Sequence, residues 1–251
     1  MSEFNEFDQQ GSAPERSTSS IISHAFEMYK GVFLYALVMM IIYFIADFVI
    51  QSITGFGSWS NYSDFRDFED FEDNYRSILM PKPGMSLYYS FSGLLSILLS
   101  PLYVGLIYIA NKFNTKASIE FSDLFIGYRQ NLGNILLYSL ITNIILWVSF
   151  AMCFIPFLFV YPLFFLGYPI LLFENANAMD AISKTYNIVK DNYSIFWGTA
   201  ILGGLITLSG ILLCCVGIIF TYPFVYIAMY SAYCAYLGKP RQITYNNDTT
   251  K

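Results

Sequence analysis

Three prolines, Pro101, Pro162 and Pro223, recur at a spacing of 61 residues, and each one opens an apolar stretch. The three stretches read SPLYVGLIYIA, YPLFFLGYPIL and YPFVYIAMYSA. Self-similarity at a fixed period is the sequence signature of a structural unit that is repeated along a chain. The spacing therefore predicts one pair of helices that occurs three times.

The composition places these units in a membrane. Of the 251 residues 56% are hydrophobic and only 12% are charged, which is about half the charged share of a soluble domain. The 13 basic and 18 acidic residues cluster at the termini, in one loop and in short connectors. The runs between them are long enough for a helix of about 20 residues to cross a bilayer. We expect an all-α, polytopic membrane protein, and the lack of a basic face excludes nucleic-acid binding.

The apolar stretches are best accounted for by six membrane-spanning helices. They are predicted over residues 32–53, 87–110, 135–152, 157–173, 195–213 and 218–237. The third and fourth lie in one apolar run that only Pro156 interrupts, which suits two antiparallel helices joined by a tight turn. The residues before the first span are acidic and polar and lack the pattern of a cleaved secretory signal, so we expect that span to be retained.

The basic residues predict the orientation of the chain. Cytoplasmic segments of membrane proteins are enriched in Lys and Arg. With both termini cytoplasmic, ten basic residues fall inside and three fall outside. The inside residues are Arg16, Lys30, Lys112, Lys116, Arg129, Lys184, Lys190, Lys239, Arg241 and Lys251, and the outside residues are Arg66, Arg76 and Lys82.

The repeat continues outside the prolines. A shift of 61 residues aligns Tyr161 with Tyr222 and Arg129 with Lys190. A shift of 99 residues aligns Lys30 with Arg129 if the first unit carries an insertion. The predicted organisation is a disordered acidic tail (1–18), a first hairpin unit (19–111) with an outside acidic insertion at about 54–86, a second unit (112–174), a third unit (175–238) and a cytoplasmic tail (239–251).

Each unit is expected to begin with a short amphipathic helix on the cytoplasmic side. Ser118 and Asn177 are the expected N-caps of this helix in the second and third units. Its apolar stripe consists of Phe121, Leu124, Phe125 and Tyr128 in the second unit and of Ile182, Tyr186 and Val189 in the third. Helices of this kind lie in the membrane interface with the apolar face toward the lipid.

Lys30, Arg129 and Lys190 occupy equivalent positions, where the odd-numbered spans enter the membrane. Two interpretations are open. A basic side chain between helices suits the phosphate of a lipid, so these residues are candidate head-group contacts. Alternatively, they are snorkelling anchors that set the depth of the helices.

Asp47 is the one ionisable residue clearly inside a predicted span, which makes it the candidate intramembrane polar site. A carboxylate in a membrane is costly and is by default a candidate for proton coupling or ion binding. Its position in the outer third of the span, where water can reach it, favours a structural interpretation instead.

The repeated prolines also allow two interpretations. They can break helices and free carbonyl groups that line a cavity, as in transporters with discontinuous helices. They can also start or kink helices that neighbouring helices support. Tyr161 and Tyr222 precede two of these prolines and are expected to be buried, hydrogen-bonding aromatics rather than ligand contacts.

The remaining polar groups carry no recognisable catalytic or metal-binding pattern. The acidic insertion can collect divalent cations or present a solvated acidic face, and it lacks the spacing of a calcium loop. Cys153 and Cys214 lie at matching turns, where they either form a disulfide or pack as unpaired residues. His24 is the single histidine and has no companions for a metal or catalytic site. We therefore expect no cofactor, no metal and no enzymatic activity.

Several loose motifs carry a family resemblance. They are FSDLF at 121–125, Tyr161-Pro162, AMDAIS at 178–183, Asp191-Asn192 and Tyr222-Pro223. With them, about half of the chain resembles a set of uncharacterised bacterial integral membrane proteins, which are related to the membrane domain of some glycerophosphoryl diester phosphodiesterases. The resemblance implies a bacterial cytoplasmic (inner) membrane. It implies no activity, because the phosphodiesterase chemistry of that family belongs to a separate soluble domain that is absent here.

Two functions follow from these observations. The first is a non-enzymatic envelope component that contacts membrane lipids or a membrane-protein partner through its cytoplasmic amphipathic helices. The second is a transporter of a small molecule, ion or lipid that uses Asp47 and the proline-broken helices. A hydrated cavity that reaches Asp47 favours the transporter, whereas a packed bundle with a lipid-facing groove favours the first function.

Overall fold

The computed structural model describes residues 11–56, 84–152, 154–212 and 217–238. These residues form α-helices and short 3-10 segments, and none of them lies in a β-strand. The α-helices are α1 (Thr18–Thr54), α2 (Met85–Leu98), α3 (Ser100–Asn114), α4 (Ile126–Arg129), α5 (Leu132–Met152), α6 (Phe154–Val160), α7 (Gly167–Phe173), α8 (Ala178–Asp191), α9 (Tyr193–Leu212), α10 (Ile218–Thr221) and α11 (Phe224–Leu237). The 3-10 segments are Phe121–Phe125 and Tyr161–Phe164. The all-α prediction is confirmed.

Within the described part of the chain, six helical stretches are long and apolar enough to cross a membrane. They are Thr18–Thr54, Met85–Asn114, Leu132–Met152, Phe154–Phe173, Tyr193–Ile211 and Ile218–Leu237. Each overlaps one predicted span, so the chain is a multi-pass membrane protein. The first stretch has 37 residues, or about 55 Å of helix, and so exceeds the roughly 30 Å of a hydrocarbon core. The amphipathic helix predicted before the first span is therefore continuous with that span.

The chain divides into two compact units. The large unit comprises Met1–Met39 and Ser100–Lys251, and the small unit comprises Met40–Leu99. This division cuts across the first predicted hairpin unit, 19–111. Most of the acidic insertion, together with Cys153 and Cys214, lies outside the described residues.

The core of the large unit consists of the three helices that follow the repeated prolines. Residues 101–107 of α3, 167–172 of α7 and 224–234 of α11 are all buried. These three helices contact one another pairwise. A helix that is apolar on every side belongs in an interior, which explains their position. A shared place in the core agrees with a threefold repeat, and the repeat itself stays a prediction.

The helix is interrupted at each repeated proline. α2 ends at Leu98 immediately before α3 with Pro101, and α10 ends at Thr221 immediately before Pro223 and α11. At Pro162 the 3-10 segment Tyr161–Phe164 separates α6 from α7. Proline causes such breaks because it lacks an N–H group and its ring clashes with the carbonyl group four residues earlier.

Tyrosine hydroxyls from neighbouring helices satisfy carbonyl groups at two of these breaks. Tyr193 donates to the carbonyl oxygen of Phe159 at 2.8 Å, and Tyr29 donates to that of Phe220 at 2.6 Å. The two acceptors lie 61 residues apart, each three residues before a repeated proline. Neighbouring helices commonly satisfy backbone groups that a proline releases in a membrane. At these positions the structure favours supported helix breaks over carbonyl groups that line a cavity.

Candidate functional site

The connector before α5 packs tightly against α3. Glu120, not the predicted Ser118, is the N-cap of the 3-10 segment, and its backbone N–H donates to an Asp123 carboxylate oxygen at 2.7 Å. The same carboxylate accepts two bonds from Lys112, at 2.8 and 2.9 Å. Gly105 allows the close approach, because a Cβ atom there would overlap the carbonyl group of Leu124. The connector is thus fixed to the bundle by an ion pair and a backbone contact.

The residues of the predicted apolar stripe in this connector do not share one environment. Leu124 is fully buried, whereas 55% of Phe121 and 37% of Tyr128 are exposed. Burial of part of the ring raises the pKa of the Tyr128 phenol, which therefore stays neutral. The exposed rings lie in the same connector as Arg129, the last residue of α4, which is also exposed.

α8 forms the second connector, and its N-cap prediction is confirmed. The Asn177 side chain accepts a hydrogen bond from the backbone N–H of Asp180 at 2.9 Å. Asparagine is favoured at the N-cap position because its side chain accepts from an N–H group that the first turn of the helix leaves unpaired.

The face by which α8 packs on the bundle consists mostly of small residues. Its buried residues are Ala178, Ala181, Thr185 and Val189. Two residues of the predicted stripe differ in burial, since Val189 is buried while half of Tyr186 is exposed. Met179, which was not part of the predicted stripe, is 62% exposed. α8 therefore has one face against the protein. Its exposed residues include Met179 and Tyr186 beside the polar residues Asp180, Ser183, Asn187 and Lys190.

The two lysines of α8 differ in their partners. Lys184 forms an ion pair with Glu174 at 2.6 Å, and Glu174 also accepts from the Tyr233 hydroxyl at 3.4 Å. Lys190 is exposed, and its ammonium group lies 5.8 Å from the centre of the Tyr186 ring. Among the described residues no carboxylate forms an ion pair with Lys190. Its charge is therefore available to an external anion.

The three candidate head-group residues are all exposed. Lys30 lies on α1, Arg129 ends α4 and Lys190 lies in the last turn of α8. The structure thus places each of them on a separate helix with its side chain accessible.

Asp47 has two partners, both of them neutral. Gln51 Nε2 donates to one carboxylate oxygen at 2.7 Å, and the Tyr88 hydroxyl donates to the other at 3.0 Å. Both belong to the small unit, and Asp47 is half-buried. Gln51 follows one helical turn later, but Tyr88 is 41 residues away and had no signal in the sequence.

Tyr161 and Tyr222 belong to a cluster of aromatic side chains within the large unit. The hydroxyl groups of Tyr222 and Tyr226 lie 3.1 Å apart, and Tyr226 stacks on Tyr103 with 4.2 Å between ring centres. Tyr161 stacks on Phe157 at 5.7 Å. Both tyrosines are partly buried, and Tyr222 has a hydroxyl neighbour at hydrogen-bonding distance.

A groove on the surface of α5 and α6 has a volume of about 250 Å³. It is lined by Asn143, Leu146, Trp147, Phe150 and Phe157. Trp147 and Phe150 are 64% and 50% exposed, so the groove opens where the bilayer surrounds these helices. The Asn143 side chain donates to the carbonyl oxygen of Ser139 at 2.8 Å and to its hydroxyl oxygen at 3.3 Å. Asp47 is not among the residues that line this groove.

The described residues contain no group of three or more His, Cys, Asp or Glu side chains that could hold a metal ion. No family model, curated protein or solved structure matches the chain. The resemblance to the membrane domain of glycerophosphoryl diester phosphodiesterases stays a prediction from the motifs.

Proposed function

We propose that this multi-pass membrane protein is a non-enzymatic, phospholipid-binding component of the bacterial cytoplasmic membrane. In this proposal both termini are cytoplasmic, and the connector before α5 and the α8 helix lie in the inner interface. Arg129, Lys190 and Lys30 hold lipid phosphate groups. The exposed face of α8 carries the proposal.

That face combines the two features that an interfacial helix needs. Met179 and Tyr186 offer exposed apolar surface, although the opposite face of α8 is already packed on the protein. Lys190 lies beside Tyr186 without an ion-pair partner among the described residues. Apolar residues next to a free basic group favour the boundary between acyl chains and anionic head groups.

The groove on α5 and α6 supports the same function. Four of its five lining residues are apolar and its mouth is at the surface of two spanning helices, so hydrocarbon from the bilayer is the material available to fill it. A lipid-facing groove on a packed bundle is the feature expected of a protein that contacts lipids or a membrane partner rather than of a transporter.

Native mass spectrometry of the full chain, released from nanodiscs that contain anionic phospholipid, tests the proposal. A basic side chain near anionic lipid contributes about 1 kcal/mol, so Lys190→Gln should lower retained anionic lipid by about fivefold. Lys184→Gln is the matched control, because Lys184 lies on the same helix but is paired with Glu174. Equal lipid retention by the two variants would contradict the proposal.

A transporter is the second candidate, and Asp47 is the observation that favours it. The carboxylate is held by two neutral donors, and among the described residues no basic side chain forms an ion pair with it. A negative charge arranged in this way can attract a proton or cation.

A flux assay on proteoliposomes separates the two candidates. Our first proposal predicts no proton or cation flux above that of empty liposomes. A flux that Asp47→Asn abolishes and that Asp180→Asn, a change at an exposed position on α8, leaves intact would replace the first proposal with the second.

A further inference from the structure

A short segment before α1 is bound to the large unit at Ser12 and Arg16. We name residues 11–16 the strap. At Ser12 the backbone N–H donates to Asn114 Oδ1 at 2.8 Å, and Asn114 Nδ2 donates to the Ser12 carbonyl oxygen at 2.8 Å. One amide side chain thus holds both backbone groups of one residue. This is the way in which binding sites recognise an extended peptide independently of its sequence.

The Ser12 hydroxyl adds a contact that depends on the side chain. It donates to Asn114 Oδ1 at 3.1 Å and lies 3.1 Å from His24 Nε2. A residue with a hydroxyl group therefore gains contacts here that alanine lacks. The arrangement selects Ser or Thr at this position.

The side chains that bind Ser12 are themselves held by hydrogen bonds to other residues of the large unit. Asn114 Nδ2 also donates to the Tyr230 hydroxyl at 2.9 Å, and Tyr230 donates to Asn111 Oδ1 at 3.1 Å. His24 Nδ1 lies 2.9 Å from the Ser231 hydroxyl. His24 and Asn114 are each 6% exposed and Tyr230 is fully buried, so these side chains are preorganised rather than flexible surface groups. We name His24, Asn114 and Tyr230 the strap site.

The strap itself is weakly attached compared with the site. Ser12, Ala13, Glu15 and Arg16 are all exposed. Beyond Ser12, Arg16 donates from Nε to the Ala235 carbonyl oxygen at 3.2 Å and lies 5.2 Å from the centre of the Tyr236 ring. A few hydrogen bonds of ordinary strength are comparable with the entropy lost on ordering six residues. The strap is therefore displaceable.

Loss of the strap opens the site. Asn114 Oδ1 would lose both of its protein donors, the Ser12 N–H and hydroxyl groups. The acceptor and the Nδ2 donor of Asn114 would remain held in place by Tyr230, so an open site is preorganised for another ligand with the same groups. We propose that the strap site is a peptide-docking site, occupied in cis by residues 11–16, which takes in their place an extended Ser- or Thr-containing segment of a partner protein.

Trypsin sensitivity reports release of the strap. Arg16 is the only Lys or Arg before Lys30, so cleavage after it yields one defined N-terminal fragment. Ser12→Pro removes both the N–H group and the hydroxyl group that donate to Asn114 Oδ1. In the full chain in mild detergent, we expect this variant to be cleaved at Arg16 at least about tenfold faster than the wild type, since the loss of a single hydrogen bond of ordinary strength already predicts a change of that size. An unchanged cleavage rate would overturn the proposal.

Binding in trans tests the site directly. A fluorescent peptide with the sequence GSAPERST, taken from residues 11–18, should bind the Ser12→Pro protein and bind the wild type at least tenfold more weakly. The same peptide methylated on the serine backbone nitrogen should lose binding, and this comparison leaves the protein unchanged. Adding Asn114→Ala to the Ser12→Pro protein should abolish binding of the peptide. Adding Asn187→Ala, a change at an exposed position, should leave binding unchanged. Equal binding of the methylated and unmethylated peptides would overturn the proposal.

Discussion

At the scale of single residues, tyrosine hydroxyl groups make the proline breaks compatible with a membrane. Tyr29 and Tyr193 each donate to a carbonyl group three residues before a repeated proline. Each hydroxyl adds a donor beside a helix break, in a medium that contains no water to supply one. The pairing explains why the interrupted helices can lie within spanning segments.

Two tyrosines with opposite environments test this explanation. Tyr29→Phe should destabilise the protein by about 1–2 kcal/mol, because the Phe220 carbonyl group loses its donor. Tyr236→Phe should be neutral or slightly stabilising, because the buried Tyr236 hydroxyl has no hydrogen-bond partner among the described residues. Thermal unfolding in detergent measures both. A larger loss for Tyr236→Phe than for Tyr29→Phe would contradict the explanation.

At the scale of helices and connectors, contacts between backbones determine how the connector before α5 is placed. Gly105 brings α3 against Leu124, and Gly127 of α4 similarly approaches the backbone of Pro101. The Lys112–Asp123 ion pair then closes the same contact at the end of α3. The connector is consequently part of the packed bundle. Its exposed residues are Lys116, Ser118, Glu120, Phe121, Tyr128 and Arg129.

A pair of glycine substitutions tests this packing. Gly105→Ala should destabilise the protein by about 1–3 kcal/mol, since the added methyl group would overlap the Leu124 carbonyl group. Gly133→Ala in α5 meets no atom within 4 Å and should be neutral or stabilising, because alanine is the better helix former. Unfolding midpoints of the two variants in one detergent provide the comparison. Equal midpoints would show that the close approach is not needed.

The sequence predicted the elements better than the contacts between them. The spans, the helix breaks at the prolines and the Asn177 cap follow from local composition and local hydrogen bonds. The partners of Asp47 and Ser12 do not, because Tyr88 is 41 residues from Asp47 and Asn114 is 102 residues from Ser12. The buried face of α8 was also not predicted. The helix packs on the bundle mostly through small residues, which a search for large apolar side chains overlooks.

The N-terminal residues show the same limit. A disordered tail was predicted over 1–18, whereas residues 11–17 lie against the bundle through Ser12 and Arg16. GSAPERS has no apolar periodicity, and Asn114, which binds the backbone of Ser12, lies 102 residues away in the sequence. Residues 1–10 lie outside the described part of the chain.

At the scale of the whole molecule, the lipid-binding proposal depends on one topology. Six spans with cytoplasmic termini place the connector before α5, the α8 helix and the strap on one side of the membrane, and the acidic insertion on the other. Arg129 and Lys190 can hold lipid of the inner leaflet only in this arrangement. The orientation predicted from the basic residues is therefore the claim on which the account rests.

Cysteine accessibility in intact cells tests that claim most directly. In a background without the native cysteines, single cysteines are introduced by Ser63→Cys in the insertion, Ser118→Cys before the 3-10 segment and Asn187→Cys on α8. We predict that a membrane-impermeant maleimide labels the cysteine at 63 in intact cells and labels those at 118 and 187 only after lysis. Labelling of positions 63 and 187 from the same side of the membrane would contradict the account.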